Sequence, residues 1–487
     1  MKLVIAEKPS VAMALASVLG ARTRKDGYVE GNGYIVSWCV GHLVGLCDAS
    51  EYDEKYKKWR YEDLPIVPEC WKHKILEGTK KQFGILKKLM RDSKVDEVIC
   101  ATDAGREGEL IFRLVYEQAG CRKPMKRLWI SSMEEQAIKD GFSSLKDGSC
   151  YDSLYQSALC RAKADWLVGI NASRLFSVLY NQNLKVGRVQ TPTLAMIVDR
   201  NQKIKEFTKE KYYMAHIKFD DMDAVTEHFQ KKEDADKVAA DCAERMCEVE
   251  KDDVKEKTVR PPKLYDLTTL QREANRMFGY TAQQTLDAVQ EMYEQKLVTY
   301  PRTDSQYLTD EMGESTETLI QMLLGKMPYA EGLEYQPDVS KVLNSKKVSD
   351  HHAIIPTVEV AKADIGELKE RNCKILYLIS ARVLTATADP YIYESHKCQI
   401  TCNYHTFYLN AKKTKQEGFK TIEKKLKQFF GIIAEKEEPE LDIWAGKHYG
   451  PCDSFVSEHF TQPPKQYTDV IFCERKEWIG IEERSSA

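Results

Sequence analysis

Two short apolar runs, Leu3-Val4-Ile5 and Val98-Ile99-Cys100-Ala101, each lead within a few residues to acidic side chains and then to a helical pattern. Such runs, apolar on both faces and too short for buried helices, are strands of a mostly parallel sheet. Strands alternating with helices over residues 1–145 predict a doubly wound α/β unit. Within it a helix over about 10–19 stops at Gly20, residues 34–40 form a strand, and a helix begins near Glu107. Leu128-Trp129-Ile130 reads as a further strand, and Ser132 with Glu135 as a capping box for the next helix. Ligands of such sheets gather outside the carboxyl ends of the strands. Glu7 and Lys8 would there approach the stretch Asp103-Ala104-Gly105-Arg106-Glu107-Gly108-Glu109. Carboxylates Glu7, Asp103 and Glu107, converging without thiolate or imidazole, suit Mg²⁺. Solvated acids at strand ends are the competing reading.

The rest of the chain changes character. Residues 151–205 read as helical, with a break at Val186-Gly187-Arg188, and residues 206–260 as mixed and charged, with a strand over 212–219. Pro261-Pro262 marks a boundary. Leu267, Leu270, Ala274 and Met277 then keep helical spacing, and Thr281 with Gln284 caps a second helix with the face Leu286, Val289 and Tyr293. Joined by Phe278-Gly279-Tyr280, the two form a helix-turn-helix unit. Residues 396–411 alternate like one strand, and the Lys-rich stretch 411–427 reads as a solvated face.

At 487 residues the chain has room for about three domains. Its net charge of −3 does not mark a nucleic-acid binder as a whole, so any such surface is a local basic groove. Charges reach in to Lys8, against a signal peptide, and no apolar run approaches the ~20 residues of a membrane span. The 14 cysteines are scattered without a C-x-x-C pair. Cys242/Cys247 and Cys398/Cys402 come nearest to metal-binding pairs, but neither has a matching second pair in sequence, so buried free thiols are the better reading.

Three further clusters carry possible chemistry. In Thr299-Tyr300-Pro301-Arg302-Thr303-Asp304-Ser305 the phenol of Tyr300 is a weak nucleophile until it loses its proton. Arg302 lies on the same face of an extended segment, and a guanidinium suits a phosphate. Alone, the cluster would read as a structural tyrosine in a proline turn. In Lys185-Val186-Gly187-Arg188-Val189-Gln190-Thr191-Pro192 a glycine beside an arginine allows close approach of a nucleic-acid backbone, or simply joins two helices. His351-His352 suits a metal or a hydrogen-bonded turn.

Taken together, the order of Ala6-Glu7-Lys8-Pro9-Ser10, Gly41-His42-Leu43, Leu64-Pro65-Ile66, Asp165-Trp166-Leu167, Gly187 to Pro192, Tyr300-Pro301-Arg302-Thr303-Asp304 and His351-His352 resembles that of type IA DNA topoisomerases, with wording closest to the bacterial topoisomerase III kind. The match runs from Met1 to about Thr468. It implies a multidomain α/β plus α plus β toroid around a central hole. A Toprim domain would occupy 1–145, and a helical DNA-groove domain 150–205, completed by 456–487. A β-rich arch would span 206–260 and 386–455, and a winged-helix-like catalytic tyrosine domain 261–385.

The resemblance further implies an ATP-independent enzyme that cuts one strand through a 5′-phosphotyrosine at Tyr300, passes a strand and reseals. It would relax negative supercoils and unlink DNA. Arg302, Glu7, Lys8 and His351 would assist, Glu7, Asp103 and Glu107 would hold Mg²⁺, and Trp59, Trp166, Arg174, Arg302 and residues Lys185, Val186, Gly187, Arg188, Val189 and Gln190 would bind the strand. Its partner would be single-stranded segments of DNA, and it would act as a cytoplasmic, nucleoid-associated monomer without membrane contact. Two features depart from the family pattern. Gly105 stands where the acidic motif usually carries its middle carboxylate, which favours one metal ion over two. After Thr468 the chain departs from the family's closing segment, as in a truncated gene. Another Toprim protein, a nuclease or primase, has no use for Tyr300, whereas a catalytically impaired, strand-binding relic would keep every motif.

Overall fold

The computed structural model describes residues 1–334, 336–348, 351–432 and 443–468. Its first sheet has seven strands, with a parallel centre in the spatial order Tyr34–Trp38, Lys2–Ala6, Glu97–Ala101 and Met125–Arg127. Thr23–Lys25 and Tyr28–Gly31 extend one edge and Lys146–Asp147 the other, all antiparallel. Alternate residues of Lys2–Ala6 enter different cores. Val4 and Ala6 meet the helix Pro9–Leu19, while Leu3 and Ile5 meet the helices Lys80–Arg91, Arg106–Ala119 and the start of Asp152–Tyr180. Both faces are thus covered, which accounts for the unbroken apolar strands. Helix Pro9–Leu19 ends at Gly20, whose φ of 76° few other residues would adopt.

Two local expectations in this unit are overturned. The last parallel strand stops at Arg127, so Leu128-Trp129-Ile130 is not a strand. Ser132 and Glu135 make no capping box. The Ser132 hydroxyl accepts from the amide of Glu134, and the helix Glu135–Ser143 follows without a side-chain cap.

Helices Asp152–Tyr180 and Gln190–Lys205 follow, with the connecting loop tied back to the first of them. The Ser173 hydroxyl bonds the backbone of Val186, and the Ser177 hydroxyl that of Leu184. Residues 461–468 return to the second helix, where Arg200 donates to the Lys465 carbonyl at 2.7 Å and covers the ring of Tyr467. No helix among the described residues is long and apolar enough to cross a membrane.

The second sheet is antiparallel, also with seven strands, and includes Lys211–Phe219, Cys247–Val259, Tyr391–Cys402, His405–Gln416 and Asp453–Phe460. The expected single strand over 396–411 is in fact a hairpin. Asn403 and Tyr404 both take positive φ, 45° and 67°, as a two-residue turn of this hand requires. The Lys-rich stretch is the end of that hairpin's second strand, His405–Gln416, followed by a helix, Lys420–Phe429, whose Ile422 and Leu426 are buried.

Between the strands Cys247–Val259 and Tyr391–Cys402 of this second sheet the chain inserts the helices Leu267–Phe278 and Ala282–Glu294, the second carrying the expected Thr281–Gln284 box. Leu270, Ala274, Val289 and Met292 are buried in a core that also contains Val11, Leu15 and Ile138 of the first unit. One continuous apolar cluster therefore presses the segment bearing Tyr300 against the carboxyl ends of the parallel strands.

Candidate active site

Strand Lys2–Ala6 delivers Glu7 and strand Glu97–Ala101 delivers Asp103 to one place. The Asp103 amide donates to Glu7 Oε2 at 3.3 Å. The turn after Asp103 depends on Gly108, where a Cβ would stand 2.1 Å from the Asp103 carbonyl oxygen. The Gly108 carbonyl in turn accepts from the Thr102 hydroxyl at 2.8 Å. Behind this turn lies Arg127, 1% exposed, which donates to the carbonyls of Thr102 and Asp103 at 2.7 Å each. Its charge is met by Glu109 Oε2 at 3.1 Å, while Glu109 Oε1 takes Arg113 Nε at 2.8 Å. Glu109 is therefore a structural anion that holds the Asp103 turn.

The Tyr300 hydroxyl donates to Asp103 Oδ2 at 3.1 Å, and its amide to the Ser131 carbonyl at 3.2 Å. Lys8 Nζ lies 3.3 Å from Glu294 Oε1, so it reaches from the first unit to the end of helix Ala282–Glu294. His351 backs the Tyr300 ring with centroids 4.4 Å apart. Its Nε2–H donates to the Ala104 carbonyl, which leaves Nδ1 to accept the Ser131 hydroxyl at 2.9 Å. Glu107 stands aside from the pair of carboxylates. Its Oε1 is 2.5 Å from His42 Nε2. Among the described residues no group of three or more His, Cys, Asp or Glu is gathered for a metal ion.

Burial dominates the electrostatics. It pushes the Glu7 carboxyl up to about 7, helped by the charge of Asp103 and opposed by the Asp103 amide, Lys8 and Arg302. Asp103 is raised by burial too, against Lys8, the Tyr300 hydroxyl, Arg302 and Arg127. Tyr300 lies well above the ordinary phenol value through burial and the charge of Asp103, with Arg302 pulling it down. Burial lowers His351 to about 4, so the ring is neutral near pH 7. Hydrogen bonding to Glu107 raises His42. Two buried carboxylates that resist joint ionisation, with oxygen donors alone, fit a hard divalent cation completed by water. The residues fit Mg²⁺ through Glu7 and Asp103.

A family model described as DNA topoisomerase matches residues 149–474, and one described as Toprim domain matches residues 2–133. The chain belongs to the type IA DNA topoisomerase family. It is 38% identical to DNA topoisomerase 3 of Staphylococcus haemolyticus, over 100% of this chain and 68% of that protein. It is 42% identical to DNA topoisomerase 3 of Bacillus cereus, over 86% of this chain and 59% of that one. The chain thus spans about three fifths to two thirds of the length of these curated relatives. A structure of full-length topoisomerase I from Thermotoga maritima shares the fold, with a TM-score of 0.74 at 24% identity over 99% of this chain and 76% of that one. Toprim domains are in general a Mg²⁺-binding fold, and the family acts on DNA. Alignment along nearly the whole chain does not favour the impaired relic, and the departure after Thr468 lies outside the described residues.

The residues that family resemblance assigns to the strand fall into two groups. Arg188 lies at the surface, its Nε 2.8 Å from Asp165 Oδ1, in the loop that also exposes Lys185 and Gln190 and partly covers Val186, Gly187 and Val189. Trp59, 44% exposed, is covered on one side by the guanidinium of Arg174 at 5.3 Å. Arg174 is itself 6% exposed and its Nε and Nη1 have no partner. Trp166, by contrast, donates to the Cys47 carbonyl at 2.9 Å and packs edge-on against Tyr52 and Trp71. Sequence reading did not single out Glu294, Ser131 or Arg127, and noted His42 only within a motif. Arg127, a charged residue beside an apolar strand, was the one with a local signal.

Proposed function

We propose that the chain is an ATP-independent DNA topoisomerase whose nucleophile is Tyr300. The observation that carries this reading is the 3.1 Å hydrogen bond from the Tyr300 hydroxyl to Asp103, formed where the charges of Arg302 and Glu7 also act on the phenol and that of Lys8 on Asp103. In the cleavage step the phenol oxygen attacks phosphorus, the bond to the 3′ oxygen breaks, and a 5′-phosphotyrosine and a 3′-hydroxyl result. Asp103 is placed to take the phenol proton. Lys8 holds the leaving oxygen, Glu7 is positioned to protonate it, and Arg302 offsets the charge on the transferring phosphate. The covalent ester keeps the bond energy, so resealing runs the same atoms backwards without ATP. Mg²⁺ held by Glu7 and Asp103 would supply positive charge that keeps the cut ends in place for resealing. Glu107 would join only on leaving His42. In this closed arrangement both ring nitrogens of His351 are engaged by protein groups, and parting from Ala104 would free Nε2 to face the phosphate.

Tyr300 is 7% exposed, so this arrangement is closed to a phosphodiester. The segment bearing Tyr300 must part from the parallel sheet to admit a strand, and the contacts that yield are Tyr300–Asp103, Lys8–Glu294 and His351–Ala104. The strand would be single-stranded DNA lying along Trp59, Arg174 and the loop from Lys185 to Gln190, where an orphaned guanidinium and an exposed ring offer charge and stacking without sequence preference. The domain limits expected from sequence and the action of a cytoplasmic, nucleoid-associated monomer belong to the same proposal. Incubation with a labelled single-stranded oligonucleotide, followed by a denaturing gel, tests it. A covalent adduct in the unaltered chain that disappears in Tyr300→Phe supports the reading. Strand binding by both proteins with no adduct from either overturns it.

A further inference from the structure

Two residues of the first unit grip the Tyr300 segment and have no part in the chemistry described so far. They follow the inward turn of Arg127, where the last parallel strand ends. Leu128 is buried there, and Trp129 and Ser131 are half-buried. Ser131 holds the segment twice. Its carbonyl accepts from the Tyr300 amide at 3.2 Å, and its hydroxyl meets His351 Nδ1 at 2.9 Å. Trp129 holds it by its ring, which lies within 11° of parallel to the His351 ring with centroids 6.4 Å apart, an offset stack. His351 in turn backs the Tyr300 ring. The Trp129 ring is itself fixed. It stacks on Tyr151 at 5.0 Å and 14°, and the Arg127 guanidinium lies 5.1 Å from its centroid. The same guanidinium donates to the carbonyls of Thr102 and Asp103, so one buried cation steadies both the acid beside Tyr300 and the ring that meets His351.

We propose that Trp129 and Ser131 are positioning residues that seat His351 each time the Tyr300 segment closes on a strand. The inference rests on the reading that Tyr300 is the nucleophile and that His351 faces the phosphate. An imidazole presents a donor in a defined direction only when its ring plane and its tautomer are both fixed. The Ala104 carbonyl can only accept, so Nε2 carries the proton. The ring is neutral near pH 7, so Nδ1 accepts from the Ser131 hydroxyl, and Ser131 thereby selects the tautomer. Trp129 sets the ring plane. Both constraints come from the first unit, so they are lost when the segment parts and regained when it closes. With a strand in place, a phosphate oxygen takes over from the Ala104 carbonyl as acceptor of Nε2–H, while Trp129 and Ser131 keep the same grip. The proton stays on Nε2, and no bond to it is made or broken. Because the Ser131 carbonyl also takes the Tyr300 amide, phenol and imidazole arrive in one fixed relation. Placement matters at this scale, since an error of ~1 Å can cost about a hundredfold in rate.

Single-turnover adduct formation on a labelled single-stranded oligonucleotide, with the full chain in saturating excess, gives the rate of cutting. Fluorescence anisotropy in a Tyr300→Phe background gives the affinity without cutting. Trp129→Leu and Ser131→Ala should each slow adduct formation about tenfold with affinity unchanged to within about twofold. Trp129→Phe, which keeps a ring, and Ser131→Thr, which keeps the hydroxyl, should restore most of the rate. In a His351→Ala background Trp129→Leu and Ser131→Ala should cost nothing more, because their effect runs through His351. Losses of undiminished size in that background overturn the proposal, as does a fall in affinity that accounts for the whole loss. If Trp129→Leu fails to fold by circular dichroism, Ser131→Ala, which removes one oxygen from a half-buried side chain, decides alone. An unaltered chain that forms no adduct refutes Tyr300 as nucleophile and this inference with it, whereas an adduct with additive losses refutes the inference alone.

Discussion

Glu7→Gln, compared with the unaltered chain in the absence of metal, reads the buried carboxylate pair directly. Glu7 is 8% exposed, and burial followed by the charge of Asp103 raises it from 4.5 to about 7. The folded chain therefore holds this proton more tightly than the unfolded chain does. The stability it confers is complete below about pH 4.5 and is lost as pH rises to about 7, above which the folded chain carries the whole cost of a buried charge. At ~1.4 kcal/mol per pH unit that interval is worth about 3 kcal/mol. Gln keeps an oxygen for the Asp103 amide and cannot ionise. The two proteins should be nearly equal near pH 4.5, and by pH 8 the variant should be the more stable by about 3 kcal/mol. Because Asp103 titrates with Glu7, the window belongs to the pair.

A chain of several units does not unfold in one step, so the assay must be local. Hydrogen exchange of peptides covering Lys2–Ala6 and Glu97–Ala101, corrected for intrinsic rates, reports the opening of the sheet that carries both acids. Mg²⁺ at pH 8 should then protect the unaltered chain more than Glu7→Gln. Equal protection of the two proteins at pH 8, or a gap that opens only above pH 7, would refute the reasoning.

Gly105 has open space around its Cβ position and an extended φ of 173°, so Gly105→Asp should fold normally and lower the Mg²⁺ concentration needed for half-maximal relaxation. Gly108→Ala, which drives a methyl into the Asp103 carbonyl, should by contrast abolish adduct formation, as denaturing gels would show. Glu109→Ala leaves Arg127 and Arg113 without their shared anion, and local exchange should show a loss of about 3–5 kcal/mol in the first sheet. Arg188→Ala should weaken single-strand binding and reduce the slope of log affinity against log salt by about one, leaving thermal stability unchanged, because its pair with Asp165 is at the surface.

What could be read from sequence, and what could not, follows the range of the forces involved. The strands Lys2–Ala6 and Glu97–Ala101 were legible because both of their faces are buried, which leaves an unbroken apolar run. The Thr281–Gln284 cap was legible because its bonds close within three residues. The hairpin at Asn403-Tyr404 was read as one strand because alternation continues through the turn and Tyr404 is an unusual residue at φ 67°. The strand expected over 128–130 failed because Arg127 turns inward and spends its donors on the carbonyls of the neighbouring turn. The site divides in the same way. Convergence of Glu7 and Asp103 follows from parallel topology alone. The diversion of Glu107 to His42 joins residues 65 apart, and Lys8 meets Glu294 across 286, so spacing carries no trace of either. The cysteines of the second sheet are the sharpest instance, since the pairing that spacing offered, Cys398 with Cys402, is not the one the sheet makes. Cys398 turns to Asp252 at 3.5 Å, and the cross-strand register sets Cys402 opposite Cys247 instead. Neighbours across strands are specified by register and topology, so they become visible only once the chain is folded.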